Sequence, residues 1–323
     1  MKKIGLYVHI PFCKQKCYYC DFCSYANKLN LQEEYINSVI KVIKNIKNKE
    51  KYLIQTIYVG GGTPSIIDSN KIEEIIYEIS NNFKLSENLE ITIEVNPGTV
   101  NEEKLRIYKK CGINRLSIGL QSTNDIILKK IGRIHNYSDF EKTYELARKL
   151  CFKNINVDLM IGLPSQTIKD VEETLQKILE KSPEHISVYS LIVEDGTLLQ
   201  RKINNKELNL PDENVERDMY WKVKELLEKN NYIQYEISNF AKQSYESRHN
   251  TDCWKQKEYI GIGISAHSYL DSIRFSNISN MEKYIENIKN NEYEKNIIIH
   301  EKQNYTTMMN EYIILGLRML KRN

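Results

Sequence analysis

Ile4-Gly5-Leu6-Tyr7-Val8-His9-Ile10-Pro11-Phe12-Cys13-Lys14-Gln15-Lys16-Cys17-Tyr18-Tyr19-Cys20 runs from a strand pattern straight into a metal-ligand pattern. In an extended chain Leu6, Val8 and Ile10 share one face, and Tyr7 and His9 share the other. Pro11 ends the run, and three cysteines follow at CxxxCxxC spacing in a loop. Further strands are expected at 54–59, 89–95, 114–120, 154–161 and 185–192. Leu89, Ile91, Ile93 and Val95 oppose Glu90, Thr92, Glu94 and Asn96. Leu116, Ile118 and Leu120 oppose Ser117, Gly119 and Gln121, and Ile155, Val157, Leu159 and Ile161 oppose Asn156, Asp158 and Met160. One face is aliphatic, the other polar.

An antiparallel sheet with a wet face would alternate in the same way. Segments of helical period between the strands argue against it. In the first, Tyr35, Ile36, Val39, Ile40, Ile43 and Ile46 recur at helical spacing, and Asn30 with Glu33 resembles a capping box. Similar helices are expected at 69–81, 101–111, 137–151, 167–181 and 213–230. Strand and helix alternation builds a parallel sheet with helices on its outer face, so the polar face looks into a barrel or cleft. The fold class is therefore α/β. Such enzymes build their sites at the C-terminal ends of the strands, which makes Tyr7, Glu94, Gln121 and Asp158 candidates by parity alone.

The 323 residues carry 46 Lys and Arg against 43 Asp and Glu, a net charge of +3. That balance gives no general field for nucleic acid or membrane lipid, and points to small-molecule or protein partners. No run approaches the ~20 apolar residues of a membrane span, and the opening apolar run is too short for a signal peptide, so a cytoplasmic location is expected. Seven cysteines, an odd number, suit no disulfide framework, and four of them fall between 13 and 23. Cys111 and Cys151 read as small buried side chains.

A closed zinc site would need a fourth ligand, which Cys23 could supply, and usually a second knuckle, which does not follow. An iron–sulfur cluster accepts all-thiolate ligation readily, and both metals stay open on spacing alone. Three thiolates on a four-iron cube leave one iron vacant. That iron can chelate the amino and carboxylate groups of S-adenosylmethionine (SAM), and the protein's task becomes to position SAM and exclude water.

Tyr7-Val8-His9-Ile10-Pro11-Phe12-Cys13, the CxxxCxxC loop and Asp21-Phe22 closely resemble the radical SAM branch that contains oxygen-independent coproporphyrinogen III oxidases and HemW-type heme chaperones. The resemblance extends over nearly the whole chain. It implies a partial (β/α)6 TIM-like barrel, with a [4Fe-4S] cluster on Cys13, Cys17 and Cys20 and SAM on the vacant iron. Gly60-Gly61-Gly62-Thr63-Pro64 matches the family's glycine motif beside the SAM amino group, assigning Gly61, Gly62 and Thr63 to cofactor binding. Glu94 resembles the carboxylate that accepts the ribose hydroxyls, and Gln121 a polar SAM contact. Arg133 and Asp158 match positions associated with SAM, or with a second SAM in the oxidase. Tyr7 matches a SAM contact, Tyr19 an aromatic that packs on adenine, and His9 reads as a hydrogen-bonded inward histidine.

The oxidase carries a fourth cysteine where this chain has Phe22, and a long segment before the cluster where this chain has twelve residues before Cys13. Arg248-His249-Asn250-Thr251-Asp252-Cys253-Trp254 resembles the chaperones' HNxxYW motif, with Cys253 in place of the tyrosine, and is followed by Gly261-Ile262-Gly263-Ile264-Ser265-Ala266-His267-Ser268-Tyr269, like their GLGxGAHSY stretch. The expectation is a heme-binding, heme-delivering protein with His249 as heme ligand and Cys253 able to offer a thiolate. The alternatives are an oxidase-like enzyme acting on a tetrapyrrole and a zinc-stabilised binding module. Heme or porphyrin, heme-acceptor proteins including membrane-bound respiratory enzymes, and a flavodoxin or ferredoxin electron donor are the implied partners, with no nucleic acid. The scaffold could in principle cleave SAM. Expected boundaries are a barrel core at 1–235, a chaperone-type extension at 236–300, and, at 301–323, the first helix of a small C-terminal domain whose remainder the chain lacks.

Overall fold

In the computed structural model, which describes residues 1–320, β1 (Lys2–Ile10), β2 (Tyr52–Gly61), β3 (Lys84–Val95), β4 (Arg115–Gln121), β5 (Ile155–Ile161) and β6 (His185–Ser190) pair in that order, all parallel. The last three residues of the expected 301–323 segment lie outside the described residues. Between successive strands run α1 (Gln32–Asn45), α2 (Ser69–Asn82), α3 (Glu102–Lys110), α4 (Asp125–Lys130), α5 (Tyr137–Lys149) and α6 (Ile168–Lys181). Side chains of Asp68 and Asn101 cap α2 and α3, and reciprocal boxes form at Asn136/Asp139 on α5 and Thr167/Asp170 on α6. The expected box at Asn30 and Glu33 does not form. A 3₁₀ turn at Leu29–Leu31 runs into α1 instead, and Leu31 takes the cap position with no side-chain bond.

The aliphatic faces meet the helices as the parity requires. Leu6, Val8, Ile57, Ile93 and Leu116 pack with Ile36, Val39, Ile72 and Ile79 in one core, each buried. Burial of such a side chain contributes about 1.5–3 kcal/mol, so a one-residue register slip would forfeit many kcal/mol along a single strand.

The sheet does not close on itself. After α7 (Leu198–Asn204) and α8 (Glu213–Lys229), β7 (Ile233–Glu236) and β8 (Asn239–Ala241) extend the β6 edge antiparallel. Beyond α9 (Arg248–Trp254), β9 (Tyr259–Ile262) adds parallel to β1, and β10 (His267–Leu270), β11 (Ile273–Asn277) and β12 (Ile297–Lys302) continue as a meander, with α10 (Met281–Lys289) inserted before β12. One sheet thus runs through both the expected 1–235 and 236–300 segments. α11 (Tyr305–Gly316) crosses from the meander toward β7. Glu311 pairs with Arg274 at 2.6 Å, and beyond the helix Ile237 N donates to Arg318 O and Leu320 N to Tyr235 O, both at 3.1 Å. It has no buried residue.

Candidate metal centre and cofactor site

The cysteine loop is held from three sides. Tyr25 N donates to Pro11 O and Cys13 N to Tyr25 O, closing the loop's base, while Cys20 N bonds Cys17 O in a turn. Tyr18 N donates to Ile131 O and Gln15 Nε2 to Gly132 O, fixing the loop to the segment after α4, and Leu199 N at the start of α7 donates to Tyr18 O. Tyr18 and Tyr19 pack against an apolar cap of Ile127, Leu128, Ile131, Leu163, Leu191 and Leu199. Tyr19 lies beside Cys17 and Cys20, and burial pushes its phenol far above the usual range.

The turn after β2 is knitted into the same loop. Gly62 N donates to Ile10 O at 2.8 Å, Thr63 N to Phe12 O at 2.7 Å, and Thr63 Oγ1 to Cys13 Sγ at 3.5 Å. Gly61 has a φ of +117°, and a Cβ there would stand 2.6 Å from the His9 ring. At Gly62 a Cβ would meet Phe12 O at 2.8 Å and Cys13 Sγ at 3.0 Å. Only a backbone without side chains fits this approach.

Glu94 sits beneath that turn at the end of β3. Its Oε2 accepts from Gly61 N at 3.0 Å and its Oε1 from Tyr58 OH at 2.9 Å. Burial, then the Asp158 charge, pushes its carboxyl up to about 7. Asp158 is also raised, chiefly by burial, against bonds from Ser117 Oγ at 2.9 Å and Asn156 Nδ2 at 2.8 Å. Buried Arg115 lowers both carboxyls, and its Nε has no partner. Tyr7 donates to His9 Nδ1 at 2.9 Å while His9 Nε2 donates to Cys23 O at 2.8 Å, so the ring is neutral with both nitrogens bonded, as burial favours. Tyr7 stacks on Tyr58 at 6.2 Å.

Arg133 joins the two halves of the rim. It donates to Cys17 Sγ at 3.5 Å, Asn96 Oδ1 at 3.0 Å and Gly119 O, and Asn96 Nδ2 in turn donates to Thr63 Oγ1 at 2.9 Å. Gln121, held at φ +69° where β4 ends, turns its amide toward Gly119. Thus Gly61, Gly62, Thr63, Glu94, Gln121 and Arg133 stand with the cysteine loop and its Tyr19 at the C-terminal end of the strands, and Tyr7 and Asp158 face inward within β1 and β5. Asn96, Ser117, Asn156 and Tyr58 complete the site without having been singled out as ligands. The inward parity of β2, not worked through in the sequence, is what would have found Tyr58.

These residues fit a cluster and a polar nucleotide. Arg133 Nε and Gln121 Oε1 are buried without partners, a donor and an acceptor left for a ligand at the rim. Cys23, the fourth thiol a zinc site would need, turns away: its Sγ lies 3.8 Å from Ser279 O and 4.0 Å from Tyr25 OH.

His249, the expected heme ligand, stands apart from these residues. It lies at the opposite end of the strands, only 6% exposed, with Nδ1 bonded to Thr56 Oγ1 at 2.8 Å and its ring 5.3 Å from that of Tyr58. Glu90 accepts both the Arg248 and His249 backbone N–H groups at 3.1 Å, pinning the start of α9 under the barrel. Burial holds this imidazole down to about 4. Cys253 is no ready thiolate either, since burial pushes its thiol up to about 12.

The Radical SAM superfamily model matches residues 7–178. The heme chaperone HemW of Bacillus subtilis (strain 168) is 39% identical over 316 residues, covering 97% of this chain and 82% of that protein. HemW of Escherichia coli (strain K12) is 36% identical over 266 residues, covering 82% of this chain and 69% of that protein. Among solved structures, coproporphyrinogen III oxidase (HemN) from Escherichia coli, described as a radical SAM enzyme, superposes with a TM-score of 0.86 at 22% identity, covering 98% of this chain and 76% of the other. At that identity the oxidase speaks for the fold: a partial TIM-like barrel of the radical SAM kind. The cysteine loop, its glycine turn and the similarity along nearly the whole chain agree, and the protein belongs to the HemW heme-chaperone family of the radical SAM superfamily.

Proposed function

We propose that the protein binds heme and passes it to acceptor proteins, with a [4Fe-4S] cluster on Cys13, Cys17 and Cys20 and SAM at the strand ends, and that it does not oxidise coproporphyrinogen III. The observation that carries this reading is the 39% identity to a heme chaperone over 97% of the chain. Phe22 in place of the oxidase's fourth cysteine, and Cys23 engaged with Ser279 and Tyr25, favour it over the enzyme reading.

A bound cluster would supply the electron that cleaves the SAM sulfonium bond. The chain's own groups do the positioning. Gly61 and Gly62 bring backbone close to the cysteine loop, Glu94 offers carboxylate oxygens to ribose hydroxyls, and Gln121 and Arg133 offer their free acceptor and donor. Tyr19 and its apolar cap keep water from the adenine side. Membrane-bound respiratory enzymes fit as recipients and a flavodoxin or ferredoxin as electron donor. Among the described residues no helix is long and apolar enough to cross a membrane.

The test is a heme titration of anaerobically reconstituted protein with and without SAM, followed by transfer to an apo-acceptor. Saturable binding and transfer are expected. Incubation with SAM, reductant and coproporphyrinogen should yield no protoporphyrinogen, and product formation would overturn the reading.

A further inference from the structure

We propose that His267 is an axial ligand for heme iron, presented beside His300 on the concave face of the sheet extension. The inference rests on the heme-binding reading above and adds to it a place and a ligand.

Strand register puts His267 on that face. Gly5 of β1 pairs with Tyr259 of β9, and Tyr7 pairs with Gly261. A Cβ on Gly5 would point at Thr56 and His249, and Tyr7 reaches His9, so these residues line the barrel interior. Tyr269 of β10 pairs with Tyr259, and His267, two residues away, shares its face. Across β11, Ser276 pairs with His267 and Ile298 pairs with Ser276. The row His267, Ser276, Ile298 therefore continues the barrel's inner surface sideways from the level of Tyr7, past the edge where the sheet fails to close.

The chemistry along this row is that of an open imidazole site. The His267 and His300 rings stack with centroids 5.3 Å apart and planes at 15°. His300 Nε2 bonds Ser276 Oγ at 2.8 Å, which fixes the second ring and leaves His267 as the one without a hydrogen-bonding side chain among the described residues. Both histidines are exposed, whereas His249 is not. Partial burial, then the neighbouring His300 and Arg274, keep the His267 imidazole below its usual range and so uncharged at neutral pH. Ile298, 45% exposed, adds apolar surface on the same face.

A porphyrin suits this row better than a bare cation does. A free divalent ion asks for three or more protein donors, and this row offers the two imidazoles of His267 and His300. Iron in heme already has four nitrogens and asks the protein for one or two, with an apolar surface for the ring.

Heme titration of the cluster-loaded full chain and of H267A and H300A tests the assignment, with ferric heme read by EPR while the cluster is in its EPR-silent oxidised form. The wild type should show an imidazole-ligated heme. H267A should lose that spectrum and bind heme at least tenfold more weakly, and added free imidazole should restore the spectrum. H300A should keep the spectrum and bind a few-fold more weakly. Unchanged iron and sulfide content and unchanged SAM binding report intact folding of both variants. Retention of the wild-type spectrum and affinity by H267A overturns this ligand while leaving the heme-chaperone reading in place. Absence of any heme binding by the wild type overturns both.

Discussion

Glu94→Gln is expected to stabilise the protein while weakening SAM binding, and the stability gain should grow with pH. The native carboxyl is raised to about 7 from an ordinary value of 4.5 by burial and by Asp158. Between those values the unfolded chain has released the proton that the native state still holds, so raising the pH favours unfolding. Below pH 4.5 both states are protonated and the site has no effect. Above about 7 the cost is complete, on the order of 3 kcal/mol if the carboxyl were fully enclosed. From pH 5.5 to pH 8 the cost changes by about 2 kcal/mol, which water at the half-buried rim reduces to about 1 kcal/mol.

Glutamine removes that pH-dependent cost and keeps an amide oxygen for Gly61 N or Tyr58 OH. Thermal unfolding of cluster-loaded, SAM-free protein at the two pH values reads the difference. For a chain of this length the gain of the variant over wild type should widen by about 1–2 °C at the higher pH. Equilibrium dialysis with SAM at pH 8 should show affinity lowered about tenfold, the worth of a hydrogen bond to a charged acceptor. A stability difference that is flat with pH, or that shrinks as pH rises, would refute the placement of a raised carboxyl under the glycine turn.

Replacing Cys13, Cys17 or Cys20 by Ala should remove most bound iron and sulfide, whereas Cys23→Ser should keep both, since its sulfur faces Ser279 and Tyr25; iron analysis after reconstitution decides, and loss in the serine variant would contradict the assignment. Gly62→Ala puts a methyl 2.8 Å from Phe12 O and 3.0 Å from Cys13 Sγ, so it should cost about 1–3 kcal/mol and reduce cluster loading, read by denaturant unfolding and the cluster's visible absorption. His249→Ala should lower stability by about 1–3 kcal/mol, by stranding Thr56 in the floor, yet leave cluster content and SAM affinity unchanged; a loss of SAM binding would place this residue nearer the rim than its bonds do.

How far the sequence could be read depended on whether a residue's role is local. The alternation in β1, β3, β4 and β5 fixes which side chains look inward, because a pleated strand leaves no other choice, and Glu94 and Asp158 take the inward places parity gives them, whereas at Gln121 the register shifts against β5 and φ turns positive, so its direction does not follow from alternation. Cys13, Cys17 and Cys20 are legible for the same reason, being close in sequence. The lateral strands were not. β8 spans only Asn239–Ala241 and β9 only Tyr259–Ile262, too short to show a period. His249 is a different case. Its motif was recognised, but a motif carries no depth, and only the bonds from Thr56 and to Glu90 reveal that α9 is a floor. His267, by contrast, stands in a quoted motif with no role attached, because its face is set through β9 by the pairing of β9 with β1, far away in sequence.

The interior polar groups explain why the site and the floor belong to one structure. Asp158 is bonded by Asn156, whose Oδ1 contacts His185 Nδ1 at 2.6 Å; His185 Nε2 contacts Tyr235 OH at 2.8 Å, and Tyr235 OH accepts from Ser247 N at 3.3 Å, the residue that caps α9. A purely apolar interior would be the more stable choice, since each buried charge carries a desolvation cost that its partners only offset. Each link of that chain has a partner, and at the rim Arg133 Nε and Gln121 Oε1 are buried without one. Each unsatisfied buried group costs about 1–3 kcal/mol. A ligand that supplies the missing acceptor and donor recovers that cost on binding. At the rim, therefore, that cost falls where a charged nucleotide can relieve it.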